Sequence, residues 1–367
     1  MTRTDVFIVG GGPAGLAAAI AARRRGFNVI VADGAVPPID KPCGEGLMPD
    51  GVEALRKLEI SIPPEHSHRF RGIRFLSSGL AVDARFPRGV GIGVRRLTLH
   101  RLLIAAAERF GITLLWQTPV TGLDREGVHL RNEVVRCRWV VGADGGQSLT
   151  RQWAGLDKYL CDRTRFAFRR HYHLVPWSDC MEIHWGPGCQ IYVTPIAADE
   201  ICVALVSRNP RLRLDEALMA FPDLQKRLHS APRTSAERGA MSVTRKLRGV
   251  FRERVVLIGD ASGAVDSITG EGLCLSFRQA EVLADCLVTG SLDRYQRIHR
   301  RLARRAVIMA RLMLTLDWKP AFRQRVMRAL NSDPGLFRRF LTTHVGESSL
   351  MDLAGASLTL GARVFHA

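Results

Sequence analysis

The apolar positions of the chain follow three patterns. Residues 5–9 and 27–32 are short continuous apolar runs next to glycine, as expected of strands buried on both faces of a parallel sheet. The alanine-rich stretch 13–25 between them predicts a helix, so residues 1–34 read as one β-α-β unit. Further buried strands are predicted at 112–116, 134–141 and 255–258, with a hairpin pairing 128–130 to 134–136 across Arg131-Asn132-Glu133. Leu99, Leu102, Leu103 and Ala106 share one face of a helix over 97–109, and 272–287 predicts another long helix.

From about 163 to 208 the pattern changes. Short strands at 165–174, 180–185, 190–194 and 201–207 recur at roughly ten-residue spacing with no room for helices, which predicts an antiparallel sheet. Residues 70–94 alternate short strands with glycines, 35–52 form a Pro- and Gly-rich loop, and 54–58 is a short helical remnant. Residues 212–229 and 291–345 read as helical. The chain therefore leaves the first unit and returns to it near 255.

Composition adds limits. The 367 residues suffice for two packed domains, and 46% hydrophobic with 24% charged residues is ordinary for a globular protein. The formal charge of +18 invites a nucleic-acid reading, but the arginines are spread along the chain and no nucleic-acid module is visible, so no nucleic-acid partner is expected. Arg297, Arg300, Arg301, Arg304 and Arg305 instead motivate a peripheral contact with an anionic membrane. The aromatic residues Trp318, Phe322, Phe337 and Phe340 of the same region are expected to pack in the core. Residues 306–318 are apolar but short and interrupted by Arg311, so no membrane span is expected. The eight cysteines include no C-x-x-C pair, and no export signal precedes residue 5, so a cytoplasmic protein with reduced thiols is expected.

The chemistry begins at residues 8–15, Ile-Val-Gly-Gly-Gly-Pro-Ala-Gly. Gly10, Gly12 and Gly15 have G-x-G-x-x-G spacing between a strand and a helix. Gly10 permits the tight turn, Gly12 lets backbone approach a pyrophosphate, Gly15 lets the helix pack closely on the strand, and Ala14 of the same turn is counted with them as a cofactor-binding position. Asp33 follows the second strand, where a carboxylate accepts ribose hydroxyls and disfavours a 2′-phosphate, so the nucleotide is NAD or FAD. Two later strands end in Gly142-Ala143-Asp144-Gly145 and Gly259-Asp260-Ala261, each placing an aspartate at a carboxyl end. Gly270-Glu271-Gly272-Leu273 then opens a helix whose N–H groups can hold an anionic edge.

These motifs, with Arg96 before a helix, resemble the flavoprotein superfamily of p-hydroxybenzoate hydroxylase, flavin-dependent halogenases and geranylgeranyl reductases, over residues 5–290. The resemblance implies bound FAD, with NAD(P)H as electron donor. It puts Asp260 on the ribityl chain, Gly270, Gly272 and Leu273 at the flavin pyrimidine edge, and Arg96 and Asp144 near the pyrophosphate, Asp144 alternatively capping a helix. Val120 would lie near the adenine. Residues 41–49, Lys-Pro-Cys-Gly-Glu-Gly-Leu-Met-Pro, look like the geranylgeranyl-reductase loop beside the isoalloxazine ring. There Gly44 and Gly46 allow close backbone approach. Cys43 is the catalytic candidate, its alternative being a small buried thiol, and Glu45 is either a desolvated proton donor or a solvated carboxylate.

The departures are informative. Of the reductases' aromatic strand only Tyr192 and Pro195 match, and the halogenase W-x-W-x-I-P pattern is absent. Ser262 and Leu273 stand where hydroxylases carry His and Asn, which leans toward the reductase branch. The implied fold is α/β, a Rossmann-type FAD-binding domain with a second domain on an antiparallel β-sheet and a helical C-terminal region. Residues 1–75, 95–162 and 246–290 would form the first, 76–94 and 163–245 the second, and 291–367 the third. The expected activity is reduction of C=C in a small hydrophobic isoprenoid-, quinone- or polyketide-like substrate. The alternatives are hydroxylation of an aromatic or polyketide substrate by a monooxygenase, or flavin binding without catalysis.

Overall fold

The computed structural model describes residues 2–366. The apolar run that opens the chain forms the strand Arg3–Val9, with Val6 to Val9 buried, at the centre of a twisted sheet. The order along that sheet is Phe251–Arg252, Val255–Leu257, Val134–Gly142, Arg3–Val9, Val29–Ala32, Thr113–Leu115. All neighbours are parallel except the edge pair formed by Phe251–Arg252 and Val255–Leu257. Gly122–Leu123 and Val128–His129 add antiparallel pairs to it, as the expected hairpin requires.

Helices Pro13–Arg23, Arg96–Arg109 and Gly272–Thr289 cover one face of this sheet. Their Ala17, Ala21, Leu99, Leu103, Phe277, Ala280 and Leu283 meet Val6, Ile8 and Val31 in one buried cluster. The alanines of the first helix matter here because small side chains let two helices and a sheet approach closely.

The second sheet has seven strands in the order Arg238–Leu247, Tyr159–His173, Glu200–Ser207, Cys189–Ala197, Met181–Trp185, Gly72–Ser77, Leu80–Arg85. The strands expected over 165–207 pair antiparallel, as read, and Gly72–Ser77 joins them by running parallel to Met181–Trp185. Three domain boundaries anticipated from sequence fall inside strands. The 75/76 boundary cuts Gly72–Ser77, 162/163 cuts Tyr159–His173, and 245/246 cuts Arg238–Leu247. A third small sheet joins Gly46–Leu47, Gly91–Gly93 and His68–Phe70.

The helical predictions hold with breaks. The 54–58 remnant belongs to the helix Pro49–Lys57, and 212–229 divides into Leu214–Leu218 and Pro222–Leu228. Residues 291–345 form Leu292–Trp318, Pro320–Ser332 and Pro334–His344, each break falling just before a proline, which lacks the N–H needed to continue a helix. A further helix spans Leu350–His366. These helices close over the second sheet, where Phe75, Trp185 and Tyr192 pack with Met309, Met313, Phe337 and Phe340. Phe337 and Phe340 are thus core residues, whereas Trp318 is half exposed between Arg163 and Arg208. Arg297, Arg300, Arg301 and Arg304 are exposed, but Arg305 turns inward to Asp50 at 3.1 Å. No helix among the described residues is long and apolar enough to cross a membrane, and the cysteines are free thiols.

The helix Gly272–Thr289 locks the two ends of the nucleotide layer together. Leu283→Ala, at a side chain 1% exposed, is expected to cost about 2–5 kcal/mol, read as a lower midpoint in urea or thermal unfolding.

Candidate functional site

The site assembles where the parallel strands end. Gly10 has φ +109°, and a Cβ there would lie 2.5 Å from the carbonyl oxygen of Ala143. A Cβ on Gly15 would lie 1.9 Å from the Gly10 carbonyl oxygen, so strand and helix meet backbone to backbone. Gly12, by contrast, faces open space, and the helix it precedes begins with no side-chain cap, leaving its first N–H groups available to an anion. Ala14 packs toward Gly259, where an added Cβ would come within 2.6 Å of it.

Asp33 is tied into this turn. Its Oδ2 accepts the Gly11 N–H at 2.7 Å and its Oδ1 the Ala35 N–H at 2.8 Å, leaving lone pairs on both oxygens for hydroxyl donors. His100, which the sequence did not single out, locks the same turn. Its Nδ1 accepts from the Ile39 N–H at 3.0 Å, so Nε2 carries the proton and donates to the Gly11 carbonyl at 2.7 Å. Burial lowers its pKa and keeps the ring neutral. Val120 stands in the segment after Thr113–Leu115, partly buried against the cluster of Phe7 and Val9.

Asp144 Oδ2 accepts both the N–H and the hydroxyl of Thr150 at 3.0 Å, a capping role, while its Oδ1 is buried without a hydrogen-bond partner. Arg96 is 8% exposed, and its Nε is likewise buried and unpartnered. Two polar atoms of opposite type left unsatisfied at the edge of a glycine cradle are what a bound nucleotide would complete. The cradle, Asp33, Arg96 and Asp144 therefore fit the dinucleotide FAD.

At the other end, Asp260 accepts from Lys41 Nζ at 2.7 Å, both groups about two-fifths exposed. Gly270 takes the left-handed conformation, and Gly272 opens the next helix toward free space with no side-chain cap, presenting its N–H with that of Leu273. Residues 41–49 lie against this corner and are clamped by the second sheet. Thr194 Oγ1 donates to the Gly44 carbonyl at 2.8 Å, and Gly46 pairs with Gly93, itself so close to Pro195 that a Cβ would meet its carbonyl oxygen at 1.8 Å. Tyr192 donates to the Ile268 carbonyl at 2.8 Å, tying the same strand to the loop before Gly272. The sequence-predicted residues thus gather into two groups, Gly10, Gly12, Ala14, Gly15, Asp33 and Asp144 at one end, and Cys43, Gly44, Gly46, Asp260, Gly270, Gly272 and Leu273 at the other.

Cys43 is half-buried, and desolvation together with the Glu45 charge pushes its thiol pKa up, so it is a protonated thiol rather than a thiolate. Glu45 is 3% exposed with φ +58°, a conformation that costs a non-glycine residue about 1–3 kcal/mol. Its Oε1 accepts the Arg96 N–H at 2.9 Å and its Oε2 lies 2.7 Å from His171 Nε2. His171 and Arg169 come from the long strand Tyr159–His173 and were missed. Their signal was two polar residues at period-two spacing on a strand otherwise read as a plain wall. A cleft of about 190 Å³ opens here, lined by Asp40, Glu45, Arg169, His171, Ser235 and Arg238 among others.

Beneath the Gly272 helix start lies Glu271, 2% exposed. Burial, the largest cause, pushes its carboxyl pKa to about 8 against the pull of Arg305. Its Oε2 sits 3.7 Å from His344 Nδ1, whose pKa burial pushes down to about 4.

Over residues 3–308 the chain matches the FAD binding domain family. It is 29% identical over 340 residues to menaquinone reductase of Mycobacterium tuberculosis, covering 82% of this chain and 83% of that one. It is 26% identical over 302 residues to digeranylgeranylglycerophospholipid reductase of Thermoplasma volcanium, covering 74% and 75%. Among solved structures, a geranylgeranyl bacteriochlorophyll reductase-like protein of Thermoplasma acidophilum aligns with TM-score 0.73 at 21% identity, over 86% of this chain and 90% of that one. The p-nitrophenol 4-monooxygenase of Pseudomonas putida aligns with TM-score 0.81 at 18% identity, over 95% and 100%. These likenesses bear out the resemblance read from the motifs and the α/β fold class.

The shifted carboxyl of Glu271 gives a pH signature. Its folded pKa, about 8, lies above its ordinary 4.5, so folding favours the protonated form, and the stability it contributes is lost as pH rises toward 8. An ordinary histidine has largely finished titrating by about pH 7.5, so from there to pH 8 the remaining loss belongs to Glu271. Glu271→Gln should flatten that fall and raise the thermal midpoint at pH 8 more than at pH 5, as followed by thermal denaturation.

Proposed function

Because the chain belongs to the FAD binding domain family and is an FAD-dependent oxidoreductase, we propose that it takes electrons from NAD(P)H and saturates a C=C of a hydrophobic isoprenoid-, quinone- or polyketide-like substrate. One observation carries this reading: residues 41–49 hold a protonated thiol and a buried carboxyl against the corner where Asp260 and Gly272 would receive the isoalloxazine. Saturating a C=C consumes one hydride and one proton. The residues around the ring position therefore have to present a proton while excluding bulk water.

Bound FAD supplies the hydride chemistry. The chain's own part is positional. The glycine cradle and the uncapped helix Pro13–Arg23 would hold the pyrophosphate, and Asp33 the adenosine ribose. The N–H groups of Gly272 and Leu273 would face the pyrimidine edge, where negative charge accumulates on reduction. Lys41 holds the Asp260 carboxylate, which would hydrogen-bond the ribityl chain. Cys43 and Glu45 stand on the substrate side. Support for the substrate class comes from the two reductases, which match about three quarters or more of the chain at 26–29% identity.

Two outcomes are expected. With NADH or NADPH, the holoenzyme should reduce a polyprenyl quinone or isoprenoid acceptor under strict anaerobiosis, as followed by product mass. A strict requirement for O₂ with oxygen incorporation would establish the hydroxylase alternative in its place. Asp260→Ala should lower FAD retention roughly 10- to 150-fold, equivalent to the about 1.5–3 kcal/mol of a charge-assisted hydrogen bond, as measured by flavin absorbance per protein after gel filtration.

A further inference from the structure

The reductase reading leaves open which residues carry the proton to the substrate. From the geometry around Glu45 we infer a proton relay, Ser235–His171–Glu45, that runs from the polar cleft to the loop beside the proposed ring position. This inference rests on the reductase reading for its purpose, but its connectivity stands on the structure alone.

The three groups are hydrogen-bonded in series. The backbone N–H of His171 donates to Ser235 Oγ at 3.1 Å, and Ser235 Oγ lies 2.8 Å from His171 Nδ1. His171 Nε2 lies 2.7 Å from Glu45 Oε2. With Ser235 accepting from the backbone, its own hydroxyl proton is free to point at Nδ1, which puts the ring proton on Nε2, aimed at the carboxylate. All three line the cleft, His171 and Glu45 with side chains only 1% exposed and Ser235 partly buried at the more open end. A buried pair with one solvated end is the arrangement a relay needs.

Three features fix Glu45 at the inner end. The residue carries a positive φ that a glycine would adopt without strain, so the chain spends conformational energy to place a carboxyl there. The Arg96 N–H anchors its Oε1 and leaves Oε2 for His171. Its position two residues after Cys43, on a loop clamped by Thr194 and Gly93, sets it beside the thiol.

The same cluster also presents a different candidate. Glu45, His171 and Cys202 bring an oxygen, a nitrogen and a sulfur within 4.8 Å of one another, a set that could ligate a metal ion. The surrounding charges argue for the relay instead. Arg169 Nη1 lies 3.0 Å from His171 Nδ1 and 3.9 Å from Glu45 Oε1, and Arg96 and Arg95 stand close by, so a divalent cation would face several guanidinium groups. Asp40 at 2.6 Å from Arg169, and Glu200 paired with Arg95, balance those cations. The Cys202 thiol, pushed well up by burial, is protonated and a poor ligand.

The proton balance closes. With one proton added, the pair is an imidazolium beside a carboxylate, equivalent to a neutral imidazole beside a carboxylic acid. Glu45 gives that proton to the substrate carbon as the other carbon of the former double bond takes the hydride that originates on NAD(P)H. The pair is left as carboxylate and neutral imidazole, and the next proton enters from water in the cleft through Ser235 Oγ to Nδ1. Each turnover takes up one solvent proton and restores every group.

The test separates connectivity from activity. In ¹⁵N-histidine spectra of the FAD-loaded protein without substrate, the His171 ring-nitrogen shifts should report the hydrogen bond to Glu45, and Glu45→Gln should move them. A His171 signal indifferent to Glu45→Gln overturns the relay. In turnover, His171→Gln should fall about 100-fold with unchanged FAD content and thermal midpoint, and added imidazole should restore part of the rate. Ser235→Ala should give a smaller loss that deepens as pH rises. Wild-type rates in His171→Gln, or a loss that imidazole leaves untouched, overturn the relay. Stoichiometric Zn²⁺ bound in the wild type and lost in His171→Gln overturns it in favour of the metal. If the wild type reduces no C=C under anaerobiosis while the His171 ring-nitrogen signal still responds to Glu45→Gln, the reductase reading fails and the relay stands.

Discussion

Everything in this fold rests on backbone meeting backbone at the carboxyl ends of the parallel strands. Gly15 presses on the Gly10 carbonyl and Gly10 on that of Ala143, while Gly259 lies against the Ala14 methyl, distances at which no larger side chain fits. That crowding brings the segments around residues 10, 143 and 259 to one point although more than a hundred residues separate each from the next. Asp33 and His100 then fix the turn through the N–H and the carbonyl of the same residue, Gly11. The nucleotide cradle is rigid because its strain and its hydrogen bonds are shared among these segments.

A second constraint is electrostatic. Much of the excess of arginine is not surface charge. Arg165, Arg169 and Arg170, all on one strand, are almost fully buried and meet Asp266, Asp40 and Asp215 respectively. Arg151, 1% exposed, bonds Asp157 and the carbonyls of Gly146 and Ala261. Buried pairs of this kind contribute little net stability, since desolvation offsets their attraction, but removing one partner leaves an uncompensated charge. Their effect is to fix one arrangement of the sheet wall against the nucleotide layer.

The nucleotide half was legible because its rules are local. Strand, glycines, helix, strand and acid lie within 33 residues, and each residue type is dictated by its own backbone or by a phosphate. The long helix from Gly272 and the hairpin at 128–136 were equally visible in short-range periodicity. What was hidden depends on pairing across distance. The alternation of residues 181–185 and 72–77 marks strands but does not encode that they run parallel. The edge strand Arg238–Leu247 escaped notice because its mixed, mostly part-exposed residues give no apolar signal. Glu45 and His171 are separated by 126 residues, and neither alone distinguishes itself from an ordinary loop acid or a core histidine.

The order of strands has a consequence for synthesis. Arg3–Val9 is made first yet lies between Val29–Ala32 and Val134–Gly142, and Val134–Gly142 acquires its outer neighbour only from Val255–Leu257. A nascent chain emerging from the ribosome can pair its opening strands early, but the platform's last parallel edge stays bare until some two-thirds of the polypeptide has been translated. Through that interval the exposed ladder of Val134–Gly142 is open to wrong partners.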